Sequence, residues 1–280
     1  MRVAVTGASG FVGRHVIASL MQRGIAPVVT LRPSAPVAPW LNQLELVRLD
    51  IAQPPPDAYD ALGRPEVLLH LAWDGLPNYR SSHHIERELP FHRSFLRCMV
   101  DAGLGTLLVT GTCLEYGMQS GALAESLQPH PENPYALAKN SLRCGLEQLS
   151  STRPFHLTWA RLFYLFGEGQ NANSLLPQLI RAVAEGASNF DMSGGEQLRD
   201  YLPVTEAAAY LVALGLAQRS HGVINVCSGQ PVQVRTLVEG WIAHNGWSIK
   251  PNLGKHPYPD YEPMAFWGDP TKLRKCLEAQ

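Results

Sequence analysis

One run of residues near the start of the chain restricts its fold more than any other. Thr6-Gly7-Ala8-Ser9-Gly10-Phe11-Val12-Gly13 follows an apolar run, Arg2 to Val5, and opens an amphipathic one, Phe11 to Arg23. A strand that turns through glycines straight into a helix commits the chain to a βα unit with a parallel strand to follow. Each glycine meets a separate steric demand. Gly7 permits the tight turn, Gly10 lets backbone approach a ligand, and Gly13 lets helix and strand pack closely. The amides of Ser9, Gly10, Phe11 and Val12, together with the positive helix end, can then face a pyrophosphate. The spacing is G-x-x-G-x-x-G rather than G-x-G-x-x-G, so its strand–turn–helix setting carries the weight; outside that setting it would be a structural turn only.

The rest of the chain agrees with an α/β fold of Rossmann type, a doubly wound parallel sheet. Short apolar runs expected as strands, Val28 to Leu31, Leu44 to Leu49, Val67 to Leu71, Thr106 to Thr110 and His156 to Arg161, alternate with helical patterns. The expected helices are Ile85 to Ala102, closed by Gly103, and Pro134 to Ser150, with proline in the first turn. Their apolar faces, at Phe91, Phe95 and Met99 and at Leu142, Leu146 and Leu149, can form a dimer bundle or pack on the sheet. After Leu162 the rhythm becomes irregular. We therefore expect a dinucleotide-binding domain over residues 1–162 and a substrate cap over most of 163–280, with some segments returning to the first sheet.

The end of the second strand bears on the choice of dinucleotide. An acidic residue there would bind a ribose hydroxyl of NAD, but this chain has Thr30-Leu31-Arg32-Pro33-Ser34. Arg32, with Ser34, suits the 2′-phosphate of NADP; the alternative is a solvated loop cation, and NAD stays possible. Asp50 and Ile51, after the third strand, are placed to meet the adenine, Asp50 having a turn cap as its other reading.

Chemistry is concentrated in Asn133-Pro134-Tyr135-Ala136-Leu137-Ala138-Lys139, where a phenol and an ammonium four residues apart share one helix face. A nearby ammonium favours the phenolate, so Tyr135 can exchange a proton with a substrate alcohol or carbonyl, and Lys139 is expected to hold the nicotinamide ribose. Such pairs also arise by chance on solvated faces. Position strengthens this one, because it follows Val109-Thr110-Gly111-Thr112 at the end of a strand, where the Thr112 hydroxyl can bond the reacting oxygen or simply cap a turn.

Thr6 to Gly13, His70-Leu71-Ala72, Gly111 to Gly117, Pro134 to Lys139 and Arg199-Asp200-Tyr201-Leu202-Pro203-Val204 occur in the order found in the extended short-chain dehydrogenase/reductases, which the chain resembles over nearly its whole length. That resemblance implies nucleotide-sugar chemistry, a homodimer, catalytic Thr112, Tyr135 and Lys139, and a cofactor cleft lined mainly by the backbone of Leu71, Ala72 and Trp73. It also implies diphosphate contact by Arg199, for which an ion pair with Asp200 is the alternative, and a substrate site including Ser174, Cys113 and Tyr164, the last standing where many relatives have Asn. The related dehydratases carry Asp-Glu directly after the catalytic Thr. Cys113 and Leu114 stand there in this chain, which disfavours dehydration.

The resulting expectation is NADPH-dependent reduction of the C4 ketone of a nucleotide-activated 4-keto-6-deoxyhexose, such as a step to a 6-deoxytalose-type surface-polysaccharide precursor. A 4-epimerase that retains NAD and a dinucleotide-sensing regulator are the alternatives. With 23 basic against 24 acidic residues, the chain has no global field for nucleic acid or an anionic membrane. Five scattered cysteines without a C-x-x-C pair, and the absence of a long apolar run, lead us to expect a cytoplasmic protein. His70, His83, His84 and His92 lack the spacing of a metal site, and no metal is expected.

Overall fold

The computed structural model describes residues 1–279. Its first half winds β1 (Val3–Thr6), α1 (Phe11–Gln22), β2 (Val28–Leu31), β3 (Glu45–Arg48), a short α2 (Ala58–Ala61), β4 (Val67–His70), α3 (Leu89–Asp101), β5 (Thr106–Thr112), β6 (Gly121–Leu123), α4 (Pro134–Thr152) and β7 (His156–Leu162). The second half adds β8 (Tyr164–Phe166), α5 (Leu175–Ala184), β9 (Asn189–Asp191), β10 (Leu198–Pro203), α6 (Val204–Leu216), β11 (Gly222–Val226), β12 (Pro231–Gln233), α7 (Val234–Asn245), β13 (Lys250–Asn252), β14 (Phe266–Gly268) and α8 (Thr271–Glu278).

A seven-stranded parallel sheet runs in the order β11-β7-β5-β4-β1-β2-β3. β1, β2 and β4 are buried at every residue, as a sheet covered on both faces requires. On one face α1 and α6 pack around Val16, Leu20, Ala207 and Leu211; on the other, α3 and α4 bring Phe95, Met99, Leu142 and Leu146. Of the two uses open to these last four residues, packing on the sheet is the one found. Strand order reverses between β1 and β4, and a crevice forms outside the carboxyl ends of strands at such a switch point.

After Leu162 the chain contributes β11 to this sheet and α6 to one of its faces. A smaller body of three- to six-residue strands, β8, β9, β10, β12 and β13, with α5 and α7, packs around Leu179, Phe190 and Val238. Strands this short leave too little alternation to be read in advance. The expected helix Ile85 to Ala102 is divided: a π-helical turn over His84–Glu88 precedes α3, whose first turn contains Pro90. Proline has no N–H for the helical ladder, and the wider turn absorbs that gap.

Gly7 has φ +72° and a Cβ there would sit 2.7 Å from the Ala72 nitrogen; at Gly13 it would sit 2.1 Å from the Gly7 carbonyl oxygen. Gly24 has a similar φ of +74° but open space around it. Chemical denaturation should therefore show Gly24→Ala losing about 1–2 kcal/mol from backbone strain alone, and Gly7→Ala clearly more because β1 and β4 must also separate. Equal losses would refute the close-approach argument.

Candidate active site

The groove over the glycine loop has a volume of about 500 Å³ and is walled by Gly7, Ser9, Gly10, Arg32, Asp50, Ile51, Leu71, Ala72 and Trp73 among others. α1 starts at Gly10 with no side-chain cap and no acidic residue in its first turn, leaving its end open to an anion. Close backbone packing and an uncapped helix end together fit a dinucleotide pyrophosphate. Phe11 and Val12 face a neighbouring cavity, whereas Gly13 packs behind the loop against Gly7 and lies outside the lining of both.

At the adenine end, Arg32 is exposed and 3.4 Å from Asp74 across the groove. Its loop is braced by Arg48, which donates to the carbonyls of Arg32 at 3.0 Å and Pro33 at 3.3 Å, a contact that sequence reading misses. Ser34 lies outside the groove lining, so it does not join Arg32 there. Asp50 lines the groove and also accepts the Ala52 amide at 2.9 Å, making both of its expected roles compatible.

Trp73 departs from expectation, since its side chain rather than its backbone defines the inner wall. The indole stacks on His92 at 4.6 Å and donates to His84 Nδ1 at 3.1 Å. His84 is thereby an acceptor at Nδ1, leaving Nε2–H to donate to the Asn78 carbonyl at 2.8 Å. Beneath lies a relay. His92 Nε2–H faces Glu88 at 3.1 Å, so His92 Nδ1 accepts from His70 Nε2–H at 2.7 Å, and His70 Nδ1 accepts from the Thr6 hydroxyl at 2.9 Å. Burial works against Glu88 ionisation, but hydrogen bonds from His92 and the Asp74 amide hold its carboxyl down at about 2. Burial pushes His70 and His92 below the ordinary imidazole range, consistent with neutral rings donating toward that carboxylate. These histidines thus support the cleft wall.

Thr112, Cys113, Tyr135, Tyr164 and Ser174 line one cavity of about 760 Å³, with Leu114, Tyr79 and Tyr261. The Asn133 side chain caps α4 by accepting the Ala136 amide at 2.9 Å, which fixes the first turn that carries Tyr135. Burial pushes the Tyr135 phenol well up, with the Thr112 hydroxyl acting in the opposite sense, so the phenol is held protonated. Lys139 is 2% exposed, its Nζ 4.2 Å from the Trp73 ring, and burial lowers it to about 7. It lines neither cavity directly, because Trp73 stands over it. Burial also pushes the Cys113 thiol far up, which makes it an inert wall rather than a nucleophile.

Arg199 requires correction. It is buried, and its Nε and Nη2 donate to Glu262 at 3.0 and 2.9 Å, while Nη1 donates to the Leu198 and Met264 carbonyls. Its partner is Glu262, not Asp200, which instead accepts the Ser228, Gly229 and Gly268 amides. Arg199 therefore does not line the cavity, though Glu262 does. Tyr261, beside Glu262, also lines the cavity, and Arg80, another lining residue, pairs with Asp260 and lies over the Tyr261 ring at 5.9 Å.

No helix among the described residues is long and apolar enough to cross a membrane. The profile of the NAD dependent epimerase/dehydratase family matches residues 3–227. The chain is 32% identical to dTDP-6-deoxy-L-talose 4-dehydrogenase (NAD(+)) of Aggregatibacter actinomycetemcomitans over 96% of this chain and 99% of that protein. It is 30% identical to GDP-6-deoxy-D-mannose reductase of Pseudomonas aeruginosa, over 85% and 78%. Among solved structures, a UDP-glucose-4-epimerase from Stenotrophomonas maltophila superposes with a TM-score of 0.85 at 20% identity, over 99% of this chain and 92% of that one, a likeness of fold. The glycine loop, the buried Thr112, Tyr135 and Lys139 set and this match together make the chain a member of the NAD-dependent epimerase/dehydratase family, the extended short-chain dehydrogenase/reductases, and an NAD(P)-dependent oxidoreductase.

Proposed function

We propose that this protein reduces the C4 ketone of a nucleotide-activated 4-keto-6-deoxyhexose, with NADPH preferred over NADH. The observation that carries the reading is the content of the large cavity: it has a hydroxyl and a protonated phenol, Thr112 and Tyr135, but Leu114 and an inert Cys113 where a dehydratase needs acids. The relatives named as 6-deoxytalose 4-dehydrogenases and a 6-deoxymannose reductase support that class of substrate. A nucleotide diphosphate would enter past Tyr261 and meet Ser174 and Asn173 at the start of α5, whose N-terminus lacks a side-chain cap.

A nicotinamide dinucleotide held in the groove of Gly7, Gly10, Ala72 and Trp73 would supply the hydride. Burial keeps Tyr135 in the acid form, so its O–H is the donor to the oxygen as negative charge develops. The Thr112 oxygen accepts the Leu114 amide at 3.3 Å, which leaves the Thr112 O–H free to stabilise the same oxygen. Lys139, at about 7, exchanges protons readily at neutral pH, which suits it to recharging Tyr135. As pH rises through that value the ammonium is lost, and proton supply should decline with it. Arg32 favours the 2′-phosphate by exchanging Asp74 for a dianion.

With a dTDP- or GDP-linked 4-keto-6-deoxyhexose and NADPH, absorbance at the nicotinamide band should fall steadily. Tyr135→Phe should lower kcat about 100-fold or more and leave dinucleotide affinity unchanged; unchanged turnover would sink the assignment. Arg32→Ala should raise KM for NADPH about tenfold and leave that for NADH in place, whereas equal effects on both would remove the NADP preference. Retained NAD and sugar interconversion without net absorbance change would instead identify a 4-epimerase.

A further inference from the structure

Glu115 lies behind the catalytic set and is fully buried, yet the chemistry just described does not use it. Its Oε1 accepts the Thr112 amide at 2.9 Å and Trp159 Nε1–H at 2.9 Å, while Oε2 accepts Arg161 Nε–H at 2.8 Å. Thr112 returns the contact as the cap of the turn Cys113–Tyr116 that carries Glu115. The carboxylate is so close to the strand end that a Cβ at Gly111 would sit 2.6 Å from Oε1. Arg161 lies 4.4 Å over the Tyr116 ring, and its Nη1 has no hydrogen-bond partner.

Burying an ion pair strips both ions of water at a cost, and packing alone could be served by apolar residues. The arrangement has a better explanation in what adjoins it. Lys139 Nζ is 5.8 Å from the Trp159 ring, whose N–H is bound to Glu115, and no direct ion pair joins Lys139 to a carboxylate among the described residues. Charges that favour its protonated form are Glu115 first and Glu88 second; His70, His84 and His92 face it as groups that would repel it if charged, and Tyr135 lies one turn before it.

We infer that Glu115 is the positioning residue of this centre: its carboxylate fixes Thr112 from behind and supplies negative charge that favours the protonated form of Lys139. One acceptor group thus sets two of the three catalytic side chains. Glutamine cannot replace it, since its NH₂ would face either the Arg161 donor or the Thr112 and Trp159 donors. The inference rests on the dinucleotide-dependent reading of the site, but not on which sugar is reduced.

Lys139, Lys250, Lys255, Lys272 and Lys275 are all the lysines of the chain, so ¹³Cε-lysine labelling gives a spectrum simple enough to titrate Lys139 in the protein without cofactor. Lys139 should show an inflection near about 7. Glu115→Gln should move it down by about one pH unit and reduce kcat with little change in KM for the dinucleotide. Arg161→Lys disturbs the same buried pair while retaining its charge and should leave the inflection in place. Glu115→Asp, a milder change should the Gln variant not fold, draws the charge back by one methylene and should give a smaller downward shift with reduced kcat. An unmoved inflection in Glu115→Gln or Glu115→Asp would overturn the inference, as would an equal shift in Arg161→Lys, which marks a structural role only. Wild-type protein that titrates as described but binds no nicotinamide dinucleotide would contradict the functional reading and leave the electrostatic one standing.

Discussion

Backbone packed directly on backbone at the carboxyl ends of β1 and β4 leaves no room for a Cβ at Gly7, and the position of the whole cleft follows from that contact. With the two strand ends in contact, the Thr6 hydroxyl reaches both the Ala72 amide, at 3.4 Å, and His70. Leu71, Ala72 and Trp73 are thereby set against the glycine loop, and Trp73 becomes the wall between the groove and Lys139. A substitution at Gly7 would therefore disturb the groove and the surroundings of Lys139 together.

Two buried carboxylates organise what stands on this base. Glu88 gathers His92, His83 and the Asp74 amide, orienting a hydrogen-bond relay that ends at Thr6 and presses His92 flat on Trp73. Glu115 gathers Thr112, Trp159 and Arg161 on the other side. Both are satisfied by several donors, the condition under which a buried carboxyl group is tolerated. At Tyr135 burial outweighs the Thr112 hydroxyl and the phenol stays protonated, while Lys139, left to distant charges, falls to about 7. The phenol and the amine thus differ in protonation because their surroundings differ.

Local features are readable in the sequence. The glycine loop, the proline-led helix start before Tyr135 and the strand end at Thr112 each occupy a few consecutive residues, and local propensity and spacing determine them. Contacts between distant segments are not. Glu262 binds Arg199 across more than sixty residues, so an arginine expected to face a diphosphate faces a carboxylate instead. The His70–His92–Glu88 relay likewise joins a strand end to a helix with no spacing rule to announce it. The place of Trp73 along the chain is legible, but the direction of its side chain depends on His84 and His92. Pro90 is the local signal that could have divided the helix expected from Ile85, since it removes one N–H from the first turn of α3.

Isotope transfer gives the most direct test that this cleft performs net reduction at a sugar carbonyl. NADPH carrying deuterium at the transferable C4 position should be consumed with a nucleotide-linked 4-keto-6-deoxyhexose, and the product should carry one deuterium at sugar C4 for each dinucleotide oxidised. A sugar product without deuterium, or interconverted sugars with no oxidised dinucleotide released, would contradict the account.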